Sequence, residues 1–290
     1  MDQAERLRSL VNKRMDQVTQ LGKGMRVIAI TSGKGGVGKT NFAINLSIYL
    51  SRAGKRVILI DADFGLANVE VLFGVSPRYS FREVLSGEVT VADALTMGPD
   101  GVRFLSGGSG FTQMANITES HLAALLSGFS QLEDLTDILI IDTGAGVSKA
   151  VTNLLKAAGE IIVVTTSDPT AIADAYAVMK AIAEEDTDPP VTKIVVNRVE
   201  SSKEGLEVYK RLYRVCSRFL NIKPINLGNI PYDRHLVRSV KSQEPVALMY
   251  PNSESSRSIQ IICKKLLDEN VAESTGIRQF IDRWVRFMKK

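Results

Sequence analysis

The stretch Gly33-Lys34-Gly35-Gly36-Val37-Gly38-Lys39-Thr40 constrains this chain more than any other feature. Before it stands MRVIAITS (25–32), a near-continuous apolar run of the kind found in parallel strands buried on both faces. After it comes NFAINLSIYLSRAG, whose apolar spacing is helical and whose Gly54 makes a stop. A GxxxxGK[ST] turn between a strand and a helix is a phosphate-binding loop. Its glycines let successive backbone N–H groups converge on phosphate oxygens where side chains would obstruct. The following helix turns its positive end to the same point. Lys39 would reach the β- and γ-phosphates, and the Thr40 hydroxyl would ligate Mg²⁺. Lys34 is not required by the motif. It is either an ordinary solvated lysine or a group that neutralises phosphates across a dimer interface, as an arginine finger does.

The pattern of the first strand recurs in KRVILIDAD (55–63), TDILIID (136–142), EIIVVTT (160–166), TKIVVNRV (192–199) and PINLGNIP (224–231). Helical stretches fall near 118–131, 147–158, 169–185 and 202–219. Such alternation predicts right-handed βαβ units: an α/β fold with a doubly wound, mostly parallel sheet and helices on both faces. Residues 64–117 are less regular, with turns at 74–77, 98–101 and 107–108. Two segments lie outside the pattern, a charged N-terminal arm and a helix after Ser274-Thr275-Gly276. The organisation read from this is a helical arm at 1–24, a nucleotide-binding body at 25–273, and a terminal amphipathic helix at 274–290.

Acidic residues fall where ligands of open α/β sheets bind, at carboxyl ends of strands. Asp61 and Asp63 end the second strand and Asp142 ends ILIID. Asp142 before Thr143-Gly144 looks like an acid contacting Mg²⁺ through water, with Gly144 presenting its N–H to a γ-phosphate. Asp63 could orient or deprotonate the attacking water. Asp61 either supports the metal from outside its coordination sphere or caps a helix or turn.

Composition removes other classes. Cys216 and Cys263 form no CxxC pair, and His121 and His235 are the two histidines, which disfavours zinc, iron–sulfur or His-based metal centres. The N-terminus has no signal-like apolar stretch, and no run of about 18 apolar residues exists, so a cytoplasmic home is expected. The net charge is only +4, from 36 Lys plus Arg against 32 acids. Residues 277–290 carry five basic groups and one acid, so the remainder of the chain is neutral. On a helical wheel Ile277, Phe280, Ile281, Trp284, Val285, Phe287 and Met288 separate cleanly from a basic face. That pattern, with the chain's one tryptophan, suits a helix lying on an anionic membrane. An amphipathic helix docked on the protein's own surface would show the same wheel. The charge gives no support for direct nucleic-acid binding.

GKGGVGKT, DADFGLANVE, ILIIDTGAG, VVNRV and IPYD, in this order, resemble the MinD/ParA group of deviant Walker A ATPases over about residues 25–270. DADFGLANVEVLFG, SDPTAIADAYAVMK and NIPYDRHLVRSVKSQEPV narrow the likeness to the FlhG (FleN/YlxH) subfamily, which controls flagellar number and placement. The resemblance implies ATP and Mg²⁺ as cofactors, with Lys34 as the lysine that crosses into the partner subunit. It implies Asp63 as the water-activating acid and Asp142 as the switch-region acid. Asn197, beside Arg198, matches the position contacting adenine, and Pro231 and Tyr232 would line the base pocket. Gly144 departs from the proline common at that position.

Asp2, Gln3, Ala4, Leu7 and Arg8 match a DQAxxLR arm that stimulates the signal-recognition-type GTPase FlhF. The resemblance thus predicts an ATP-dependent homodimer, reversibly held at the inner face of the cell membrane, acting through FlhF and flagellar C-ring components. The alternatives are a MinD-like septum-site ATPase, a ParA-like partitioning ATPase, and a nucleotide-insensitive transcriptional anti-activator.

Overall fold

Apolar residues in unbroken runs of four, as at 27–30, 57–60, 138–141 and 161–164, must be covered on both faces, and here they are. In the computed structural model, which describes residues 25–63, 68–108, 128, 132–183, 189–268 and 276–288, eight strands form one sheet. They are β1 (Arg26–Thr31), β2 (Val57–Ala62), β3 (Thr96–Met97), β4 (Arg103–Leu105), β5 (Ile138–Thr143), β6 (Glu160–Thr165), β7 (Val191–Val199) and β8 (Ile225–Pro231). The spatial order is β3-β4-β2-β5-β1-β6-β7-β8. All pairings are parallel except β3 with β4. Every residue of β2, β5 and β6 is buried, matching their apolar sequences.

Helices cover both faces. On one side α1 (Lys39–Arg52) packs with a helix near the C-terminus, α10 (Glu254–Asp268), over a core that includes Phe42, Leu46, Leu50, Phe104 and Ile259. The intervening short helices are α2 (Asn68–Phe73), α3 (Phe81–Leu85) and α4 (Val91–Ala94). On the opposite side lie α5 (Lys149–Ala157), α6 (Pro169–Ala183) and α7 (Ser202–Phe219). Then follow α8 (Arg234–Lys241), α9 (Val246–Met249) and, after α10, α11 (Ile277–Met288).

The doubly wound sheet agrees with the sequence pattern. Within the stretch 64–117, the described residues 68–108 hold more regular structure than their turns suggest: α2, α3, α4 and two short strands. These elements are shorter than the window over which periodicity registers, and Ser80 and Thr90 start α3 and α4 with capping boxes. Helices α8 and α10 likewise go beyond the elements expected from sequence. Most of the expected helix at 118–131, and the arm at 1–24, lie outside the described residues.

The terminal helix takes the docked one of the two arrangements that its wheel allows. Its apolar face does not point outward: Ile277, Phe280, Ile281, Trp284 and Phe287 are all buried, on a helix that packs against α5. Phe280 and Trp284 stack at 5.9 Å between ring centroids. The side chains of Val285 and Met288 lie outside the described residues. The wheel is right, and the surface it faces is the protein's own, because α11 covers apolar surface on α5 and β1 that would otherwise meet water. Among the described residues, no helix is long and apolar enough to cross a membrane.

Candidate nucleotide site

Strand register brings the acids together. Asp61 on β2 pairs with Asp142 on β5, and Asp142 in turn neighbours Ile30 on β1. The glycine loop leaves the carboxyl end of that same β1, so loop and acids share one edge of the sheet. Lys34, Gly35 and Gly36 are exposed, whereas Val37 and Lys39 are buried. Gly36 (φ 77°) and Gly38 (φ 92°) adopt left-handed backbone that only glycine takes freely. Gly38 is also hemmed in, because a Cβ there would lie 2.4 Å from the Asn197 amide nitrogen. Gly33 needs to be glycine for a different reason. A Cβ at that position would sit 2.1 Å from the backbone carbon of Asp174 in α6.

Lys39 is the centre of the charge arrangement. Its Nζ donates to Asp142 Oδ1 at 2.7 Å and lies 3.9 Å from Asp63 Oδ2. The Thr40 hydroxyl is 3.4 Å from the same ammonium. Burial pushes the Asp142 carboxyl upward, and Lys39 opposes that shift. Asp142 Oδ2 is buried and makes no hydrogen bond among the described residues. A buried carboxylate oxygen near a threonine hydroxyl is the hard-oxygen donor set that suits Mg²⁺. Thr40 and Asp142 therefore fit that ion, which would supply charge neutralisation at the phosphates.

Asp61 makes the capping contacts that were one of its two expected roles. Its Oδ1 accepts the Asp63 N–H at 3.1 Å, and its Oδ2 accepts the N–H groups of Asn68 and Val69 at 3.1 and 3.2 Å. It thus caps α2 and fixes the backbone that carries Asp63. Burial, reinforced by the Asp142 charge, raises its carboxyl to about 7. Asp63 itself is partly exposed and stands over Gly144, whose added Cβ would lie 3.4 Å from Asp63 Oδ1. The segment after β5 is tied back to the loop by Gly146 N–H donating to Ser32 O at 2.9 Å.

The residues expected to receive the base lie at the ends of β7 and β8. Asn197 is buried, donates from Nδ2 to Val37 O at 2.7 Å, and accepts the Arg198 N–H on Oδ1 at 2.9 Å. Arg198 is exposed with φ 57°. Pro231 pairs with Val199, and Tyr232, largely exposed, donates its N–H to Val199 O at 3.0 Å. Asn197 therefore touches the phosphate loop itself, which sequence spacing cannot reveal.

Four further residues are absent from the sequence-based expectations. Asp168 and Thr170, at the start of α6, hold the Lys34 ammonium at 3.1 and 2.7 Å. Asp-Pro-Thr is legible as a helix start but says nothing about what the cap will also bind. Asp233 caps α8 through the His235 N–H and binds both the N–H and hydroxyl of Ser255. The fourth is Asn153 on α5, whose amide donates to the Phe287 carbonyl of the terminal helix.

The matches to known proteins agree with this geometry. Residues 28–246 match the family described as the CobQ/CobB/MinD/ParA nucleotide binding domain. The chain belongs to that family. It is 37% identical to the antiactivator FleN of Pseudomonas aeruginosa over 83% of this chain and 86% of FleN. It is 31% identical to the flagellum site-determining protein YlxH of Helicobacter pylori over 99% of both chains. It therefore falls in the FlhG (FleN/YlxH) group, among nucleotide-binding ATPases. Among solved structures, the MinD cell division protein of Aquifex aeolicus superposes with a TM-score of 0.66 at 26% identity, covering 85% of this chain and 98% of that one.

Proposed function

We propose that this chain is an ATP- and Mg²⁺-dependent dimerising switch that regulates flagellar number and placement. The observation that carries the proposal is the convergence of Lys39, Thr40, Asp63 and Asp142 behind a loop whose second lysine, Lys34, stands at the exposed rim. Lys39 neutralises the β- and γ-phosphates, and Thr40 with Asp142 holds Mg²⁺. Asp63 positions the attacking water, and Lys34 enters the partner's site. Gly144 offers its N–H to the γ-phosphate, and Asn197, Arg198, Pro231 and Tyr232 receive the base. Slow hydrolysis returns the dimer to monomers.

Output runs through the two terminal segments. The likeness to YlxH spans 99% of the chain and so reaches both of them. Residues 1–24 act on the FlhF-type GTPase through Asp2, Gln3, Ala4, Leu7 and Arg8. The terminal helix binds anionic membrane once it leaves α5, two helices per dimer acting together. Docking buries five large apolar side chains, each worth about 1.5–3 kcal/mol against exposure. Release therefore needs a movement of α5, which begins seven residues after Asp142. Flagellar C-ring proteins are the further partners.

A second reading is favoured by the similarity to an antiactivator: binding of a transcription factor irrespective of nucleotide. The test for the switch is specific ATPase activity against protein concentration. A dimer-dependent enzyme gives activity that rises with concentration and vanishes in Lys34→Ala. Activity independent of concentration would remove the dimer from the account. Partner capture that is equal with ATP, ADP and Lys39→Ala would favour the second reading.

A further inference from the structure

In the isolated chain the Lys34 ammonium is not free. It donates to Asp168 Oδ2 at 3.1 Å and to Thr170 Oγ1 at 2.7 Å, both at the start of α6 of the same chain. These acceptors are themselves fixed. Asp168 Oδ1 accepts the Thr170 N–H and the Thr170 hydroxyl, both at 2.9 Å, so the carboxylate caps the helix with one oxygen and holds the lysine with the other. Those hydrogen bonds, with Lys34 beside it, hold Asp168 at about 2, ionised throughout the physiological range.

The loop backbone is pinned as well. Ser32 Oγ donates to Lys34 O at 3.0 Å, and Gly33 is pressed against the Asp174 backbone of α6. A lysine held between two acceptors of its own chain cannot at the same time reach a phosphate in another.

We propose that Asp168 and Thr170 form a tether in cis that withholds Lys34 and thereby opposes ATP-driven dimerisation. The proposal rests on the dimer reading of Lys34 given above. Both Lys34 and Asp168 are close to half exposed, so the tether is weak and is broken by dimer contacts of ordinary strength. An exposed pair of this kind shifts an equilibrium about twofold to fivefold. A two-fold dimer must release two lysines, so the effect on dimer affinity is the square, about fourfold to twenty-five-fold. Asp168 and Thr170 are thus positioning residues, setting the protein concentration at which the switch closes.

Asp168→Ser keeps a capping hydroxyl for α6 while removing the charge, and Thr170→Val removes the second acceptor. Sedimentation velocity of the full chain with ATP and Mg²⁺ gives the dimer affinity of each. Both substitutions are expected to tighten the dimer, Asp168→Ser by about fourfold to twenty-five-fold, with the gain shrinking at high salt. In a Lys34→Ala background Asp168→Ser should have no effect, a result that a general disturbance of α6 would not produce. Unchanged or weaker dimerisation in both single variants, with melting temperature preserved, overturns the tether. Weaker dimerisation would instead make Asp168 a partner of the lysine across the interface. If Lys34→Ala alone dimerises like the wild type, the dimer reading fails and the tether fails with it.

Discussion

Asn153 of α5 donates a 2.9 Å hydrogen bond from its side-chain amide to the backbone carbonyl of Phe287, in the last turn of α11. The last carbonyls of a helix have no partner within it, so Asn153 ties the terminal helix to the element that follows the Asp142 strand. The Lys156 ammonium lies 5.8 Å from the centre of the Phe287 ring on the same contact. Asn153→Ala should cost about 1–2 kcal/mol of docking and leave Phe287 O without its partner. Trp284 is the one tryptophan and is 5% exposed, so its emission reports the docked state directly. A red-shifted spectrum and faster amide exchange over 277–288 in Asn153→Ala are expected. An unchanged spectrum and unchanged exchange would show that packing alone holds the helix.

Glycines within one motif should differ in tolerance. A Cβ added at Gly35 would meet only open space, so Gly35→Ala should fold normally. Gly33→Ala would drive a methyl into the Asp174 backbone and should lower stability by about 1–3 kcal/mol, the usual cost of overpacking. Paired thermal melts compare the two directly. Equal melting temperatures would refute the close approach of the loop to α6.

Removing Lys39 isolates a buried acid. Lys39→Ala takes the ammonium from Asp142, and breaking a buried pair costs about 3–5 kcal/mol when the remaining charge cannot escape. Here the carboxyl can protonate, because burial already pushes it upward and Lys39 no longer holds it down. A carboxyl raised in the folded state binds its proton more tightly there than in the unfolded chain. The variant should therefore lose stability as pH rises, with a larger deficit at pH 8 than at pH 6. Lys39→Ala/Asp142→Asn should recover most of it. A pH-independent deficit would contradict this coupling.

Asp233 should show the opposite pH dependence. Burial would raise its carboxyl, but hydrogen bonds from Ser255, His235 and Ser253 hold it down to about 2. A depressed carboxyl stabilises the fold above its unfolded value near 3.8, and that stability is lost as pH falls towards 2. Asp233→Asn should melt lower than the wild type at pH 7, because its charge-assisted bonds become neutral ones. The difference should narrow below pH 4. A constant difference across that range would show that the charge has no part.

What can be read from sequence is local, or depends on patterns that a strand or helix carries within itself. The loop from Gly33 to Thr40 is contiguous, and Asp61, Asp63 and Asp142 end apolar runs, so their places at one edge follow from βαβ connectivity. The partners of those residues depend on register and packing between distant segments. Asn197 bonding to Val37 O, Asp168 receiving Lys34, and Asp61 capping α2 are contacts of that kind. The terminal helix makes the distinction plain. Its wheel shows that one face must be covered, and it is identical whether lipid or α5 does the covering.

Closure of a dimer by ATP through Lys34 is tested most directly by the mass of the full chain in light scattering. Samples contain Mg²⁺ and either ATP or ADP, for the wild type, Asp63→Ala and Lys34→Ala. Monomers are expected with ADP, and dimers with ATP that persist in Asp63→Ala. Lys34→Ala should stay monomeric under both nucleotides. One mass for all nucleotides, or ATP-bound dimers of Lys34→Ala as stable as those of the wild type, would contradict the switch.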